Sequence, residues 1–177
     1  MPNMRIDTRP LAGNFDLPEV AGWEREAPRV LGDGYVLGYN LRARPGPIKI
    51  TICVYRDGAA SVPSGHHSDV VEQRLQSAVD TVLWFASRGE HYRFAEVRSH
   101  ILQALGAFPG APVAHRVMLK VVELDYPLIP KLRSLLMTAA NDHFIKIMIT
   151  QPADSSEQEE AALLALLEAI GRALIVH

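Results

Sequence analysis

Residues Ser134 to Leu174 read SLLMTAANDHFIKIMITQPADSSEQEEAALLALLEAIGRAL, and this passage decides the architecture. Leu135 to Ala139 and Phe144 to Thr150 are apolar runs of strand length. Between them stands Ala140-Asn141-Asp142-His143, where Asn and Asp tolerate the left-handed backbone of a tight turn. Ile145, Ile147 and Ile149 make one face of the closing strand, and Pro152 ends its pairing. Ser156 and Glu159 then have the spacing of a capping box, in which each side chain satisfies the other residue's backbone amide. Leu163, Leu167, Ile170 and Leu174 recur at the period of a helix with one buried face. The passage predicts an antiparallel strand pair followed by a capped amphipathic helix. It offers no polar constellation of the kind that chemistry needs.

The first half of the chain repeats this logic. Tyr35, Leu37, Tyr39 and Leu41 alternate with Val36, Gly38 and Asn40. After the turn-rich Ala43-Arg44-Pro45-Gly46-Pro47, Ile48, Ile50, Ile52 and Val54 alternate with Lys49, Thr51, Cys53 and Tyr55, so the two runs predict a β-hairpin. Asp57-Gly58 ends the second strand, and Ala59 to His67 is a loop. A helix starts near Ser68 or Asp69, either of which can cap its first turn. Its stripe is Val71, Leu75, Ala78, Val79, Val82 and Ala86, and Gly89 stops it. Tyr92 to Leu105 fits both periods: Phe94, Val97, Ile101 and Leu105 have helical spacing, yet Tyr92 to Val97 reads equally as a strand. Pro109-Gly110-Ala111-Pro112 closes that stretch. Val117, Leu119 and Val121 predict a further strand, ending at Tyr126-Pro127.

Hairpin connections rather than regular strand–helix alternation predict an α+β fold, an antiparallel β-sheet with helices packed on it. Residues 1–28 have no sustained period and read as an extended N-terminal arm anchored by Trp23; residues 29–177 read as a single α+β domain. At 177 residues the chain is long enough to bury a core without staples. Hydrophobic residues make up 48% and charged residues 21%, the balance of a globular protein. A net charge of -2 supplies no electrostatic reason for a nucleic-acid partner. The single cysteine, Cys53, excludes an intrachain disulfide and a cysteine-built zinc site, and its place in a strand predicts an inert thiol. No apolar run reaches the roughly 20 residues of a membrane span. The first 20 residues lack the apolar core of a signal peptide, so as written the chain reads as cytoplasmic; had an export signal been removed, an envelope or periplasmic location would fit as well.

Three places carry candidate chemistry. His66-His67-x-Asp69 sets two imidazoles and a carboxylate at a helix start, a combination able to bind a transition metal or to act as acid and base. Such a site needs a further ligand from elsewhere. His91, His115 and His143 are available, though no H-x-x-x-H spacing links them. Asn141-Asp142-His143 pairs an acid with a base, but turn chemistry already explains its first two residues. Tyr35, Tyr39 and Tyr55 lie on neighbouring strands, where they either share a sheet face bordering a ligand groove or belong to the core. Arg42, Arg44, Lys49 and Arg56 add a modest basic rim. No G-x-S-x-G elbow or phosphate-binding glycine loop occurs.

The tract Leu17-Pro18 to Trp23-Glu24-Arg25, the pair Gly38-Tyr39, and Thr51-Ile52-Cys53-Val54-Tyr55 followed by Asp57-Gly58 resemble small uncharacterised bacterial proteins, many of them exported or lipid-anchored. In those a similar strand pair precedes a long helix, and a strand like Phe144 to Thr150 precedes a last helix. More broadly the layout is similar to the Mog1/PsbP-like fold, which implies a central antiparallel sheet between helices. The resemblance carries over no catalytic residue, and the sequence calls for no cofactor.

Periodicity absorbs most residues, so the sequence favours a non-enzymatic binding module whose partner is another protein. Two alternatives stand beside it: a small metal-assisted hydrolase or metal binder at His66, His67 and Asp69, and a small-ligand carrier with a pocket between sheet and helix.

Overall fold

The computed structural model describes residues 15–42, 47–106, 111–125 and 128–175. Residues 43–46, where the sequence predicts a turn, lie outside the described residues, as do Pro109-Gly110 and Tyr126-Pro127. Among the described residues, one sheet of eight strands organises the fold: β1 (Glu24–Arg25), β2 (Arg29–Leu31), β3 (Gly34–Leu41), β4 (Ile48–Tyr55), β5 (Tyr92–Ala104), β6 (Val113–Glu123), β7 (Pro130–Ala140) and β8 (His143–Pro152). The order across the sheet is β1-β3-β4-β8-β7-β6-β5, with β2 also on β3, and every pairing is antiparallel. Helices α1 (Asp69–Ser87) and α2 (Glu157–Ala173) pack on it, so the fold is α+β.

Local chemistry explains the elements. Asn141 and Asp142 have φ of 50° and 64°, the doubly left-handed pair that lets a two-residue loop join twisted strands. Ala140 then pairs with His143, and the register runs unbroken to Lys131 opposite Pro152. Ser68 caps α1 by accepting the amide of Val71 at 3.2 Å. Ser156 caps α2 by accepting the amide of Glu159 at 3.2 Å, while its hydroxyl donates to the Glu159 carboxylate at 3.0 Å. The Ser–Glu contact of the capping box is therefore made side chain to side chain. Tyr92 to Ala104, which fitted two periods in the sequence, is a 13-residue strand with register shifts between Tyr92 and Phe94 and between Val97 and Ser99. The shifts explain the ambiguity, since each bulge adds a residue and moves the alternation away from two.

The sheet separates two cores. On one face α2 lays Leu163, Leu166, Leu167 and Ile170 on Ile50, Ile52, Ile147 and Ile149. On the other, Val71, Leu75 and Val79 of α1 pack with Val117, Leu119, Leu135 and Met137. Because strand side chains alternate, adjacent residues of β7 serve opposite cores: Leu135 the α1 side, Leu136 the α2 side. Phe15, Leu17 and Trp23 are buried in the α2-side core, and the Trp23 indole donates to the Ala162 carbonyl at 3.3 Å.

Candidate functional site

The three tyrosines are not brought together. Tyr35 and Tyr39 are 2% and 0% exposed inside the α2-side core, whereas Tyr55 is half-buried on the opposite face, 5.5 Å from the Phe144 ring. Tyr39 donates its hydroxyl to the Pro18 carbonyl at 2.7 Å. Burial pushes the Tyr35 phenol up to about 12, and its hydroxyl has no hydrogen-bond partner. In the basic rim, Lys49 is exposed, but Arg56 pairs with Asp142 at 2.6 Å. Arg44 lies outside the described residues. Cys53 is half-buried, and burial raises its thiol pKa above the usual value.

The turn acid Asp142 does structural service. One carboxylate oxygen receives Arg56 and the other the amide of Val62 at 2.6 Å, which ties the loop before α1 to the β7–β8 turn. His143 directs Nδ1 to the Asn141 carbonyl at 2.8 Å, and His91 stands edge-on to Phe85 with ring centroids 4.5 Å apart.

The histidines of the 59–67 loop meet residues that the sequence left unlinked. Gly65 and Ala139 exchange two backbone hydrogen bonds, at 2.7 and 3.1 Å, and this bridge fixes the loop beside β7. His66 is thereby placed 5.3 Å from His115 of β6, centroid to centroid, with the rings at 66°. His67 lies 3.8 Å from His66. Asp69 is exposed at the start of α1; the carboxylate that reaches the histidines is Glu72, one turn further on, with Oε1 3.3 Å from His115 Nε2. That nitrogen is buried and makes no hydrogen bond. Burial is the main cause holding the His66 pKa below its ordinary value, with His67 and His115 adding to it. Among the described residues, no group of three or more His, Cys, Asp or Glu side chains is placed so that it could hold a metal ion. His115 and Glu72 carried no spacing signal, because three separate segments supply the cluster.

A second surface has no counterpart in the sequence reading. On the α2 side the core gathers residues of β3, β4 and β8 with Leu136 of β7 and Ala114 of β6, while further out Phe94 and Ile101 of β5 are exposed and Met118, Val122 and Leu132 are half-buried. Directly opposed residues share a face, so the register puts Phe94 with Val122, Ile101 with Arg116, Met118 with Ser134 and Lys120 with Leu132 on this side. Phe94, Ile101, Met118, Val122 and Leu132 belong to neither core. Phe94 and Ile101 are 44% and 43% exposed. Arg116 sits among them, giving hydrogen bonds to Gln103 at 2.5 Å and Ser134 at 2.8 Å, with burial drawing its pKa down. Beside the end of β5, a groove of about 400 Å³ runs along α2 between Ala104 and Leu164. The outer edge of β5 pairs with no other strand among the described residues.

The sequence matches no described protein family and no curated protein. Among solved structures, the solution structure of cyanobacterial PsbP from Synechocystis sp. PCC 6803 aligns over 90% of this chain and 95% of that one, at 14% identity and a TM-score of 0.35. At that TM-score the likeness carries no residue role and no partner to this chain. Among the described residues, no helix is long and apolar enough to cross a membrane.

Proposed function

We propose that the chain is a non-enzymatic protein-binding module whose docking surface is the open β5–β6–β7 face. The observation that supports this is the group of five apolar side chains, Phe94, Ile101, Met118, Val122 and Leu132, that lie outside both cores on a rigid sheet. Apolar area flanked by charge is the make-up of a docking patch: an apolar centre supplies affinity, while rim charges such as Glu96, Arg98 and Lys120 set orientation. The partner is a protein carrying apolar anchors. Nucleic acid fits poorly, since the chain is net negative and this rim mixes both signs.

The test is affinity capture from the native cell with wild-type protein, a Phe94→Glu plus Ile101→Glu variant, and Val30→Glu on β2, at the far end of the sheet, as a surface control. A stoichiometric partner held by wild type and the control but lost by the double variant supports this face. A partner retained by the double variant sinks it. Sedimentation equilibrium in parallel identifies self-association as the outcome in which the partner is a second copy.

A further inference from the structure

We infer, on the docking reading of the β5–β6–β7 face, that the protein segment received there carries an acidic side chain between apolar anchors, and that Arg116 binds its carboxylate. Arg116 comes from β6, with Ile101 of β5 opposite it on one side and Leu136 of β7 on the other, so a cation stands within an apolar surface. The side chain is half-buried, and burial draws its pKa down. Two of its N–H groups go to neutral oxygens, Gln103 Oε1 at 2.5 Å and Ser134 Oγ at 2.8 Å. Its Nε is buried without a hydrogen-bond partner. Among the described residues, no carboxylate stands within ion-pair distance of it. Glu160 acts on it only from further off, and Oε1 of Glu160 takes the Gln151 amide at 2.5 Å. Arg133, on the opposite face of the sheet, differs in having Glu123 3.7 Å away. Arg116 is thus a partly desolvated guanidinium that lacks a counter-charge, and a carboxylate matches its planar fork.

Its position sets the pattern of the segment. Gln103, which holds Arg116, also lines the groove of about 400 Å³ beside α2, together with Ala104, Leu105, Leu164 and Leu167. Arg116 therefore stands between two apolar regions: the groove on one side, and Met118, Val122 and Phe94 on the other. From Arg116 to Val122 the strand runs roughly 20 Å at about 3.3 Å per residue, a length that a short extended peptide spans. Such a segment puts one apolar anchor in the groove, its acid at Arg116 and another apolar anchor over Met118 and Val122. Docking excludes water from the pair, so removing either charge leaves the other buried and unanswered.

Random peptides displayed on phage and selected on the immobilised full chain supply the probe, and fluorescence anisotropy of labelled synthetic copies measures their affinity. The expected binders carry an Asp or Glu flanked by apolar residues and lose binding to the Phe94→Glu plus Ile101→Glu variant. Changing that acid to its amide weakens binding to the wild type at least about thirtyfold, yet changes binding to Arg116→Gln by no more than about threefold. Should Arg116→Gln fold poorly, Arg116→Lys takes its place in the cycle and reduces the effect of the acid, since it keeps the charge without the fork. Binders that need Phe94 and Ile101 but carry no acid, or whose acid matters equally on Arg116→Gln, overturn the inference and leave the docking face standing. An acid whose effect vanishes with Lys120→Gln instead also overturns it. A selection that yields no peptide dependent on Phe94 and Ile101 overturns the docking face and this inference together.

Discussion

Asp33 holds a turn with a single carboxylate. Oδ1 accepts the amides of Arg56 at 3.1 Å and Asp57 at 3.2 Å, and Oδ2 accepts that of Gly58 at 2.8 Å. These bonds favour the charged form and hold its pKa below the ordinary 3.8. A carboxylate depressed in the folded state contributes stability above its unfolded pKa and loses it as pH falls through the folded one. Thermal melts of wild type and Asp33→Asn should therefore differ most near neutral pH and converge below 3.8. A gap that does not change with pH would show that the amide replaces the carboxylate without cost. Such partners were beyond reach of the sequence, because the three amides lie at the end of a different strand. The tyrosines make the same point: alternation put Tyr35 and Tyr39 on one face, yet only the register and the helix above them decide that this face is sealed.

At the scale of elements, α2 shows packing overriding propensity. Gly171 lies in the helix, where alanine is intrinsically better by about 1 kcal/mol. A Cβ there would stand 2.5 Å from the Leu105 carbonyl oxygen and 2.8 Å from the Gly106 nitrogen, both backbone atoms. Gly171→Ala should therefore destabilise the fold by about 1–3 kcal/mol, the range for overpacking. Urea unfolding measures it, and a stabilised variant would mean that the helix shifts freely on the sheet. Boundaries were legible where side chains act locally: Ser68, Ser156 and the Asn141-Asp142 turn sit at the ends their chemistry predicts. Strand β5 was not legible, because its two register shifts interrupt the alternation from which strands are read.

For the whole molecule, the decisive fact is that β7 and β8 furnish side chains to both cores. The two layers cannot part without breaking the same strands. Leu135→Ala and Leu136→Ala, neighbours facing opposite cores, should each cost about 2–5 kcal/mol and lower one common unfolding transition. Two separate transitions in calorimetry, one moved by each variant, would show that the faces unfold independently.

By itself the sequence determined the α+β class, the β7–β8 hairpin, both helices with their caps, and the stripes that became the two cores, because each rests on neighbours within about one turn or one strand pair. Only tertiary structure decided which faces those stripes cover, where the sheet stays open, and which carboxylate meets the histidines. Those outcomes depend on strand order and register across the sheet: Glu72, His66 and His115 come from a helix, a loop and a distant strand that meet only once the sheet is assembled.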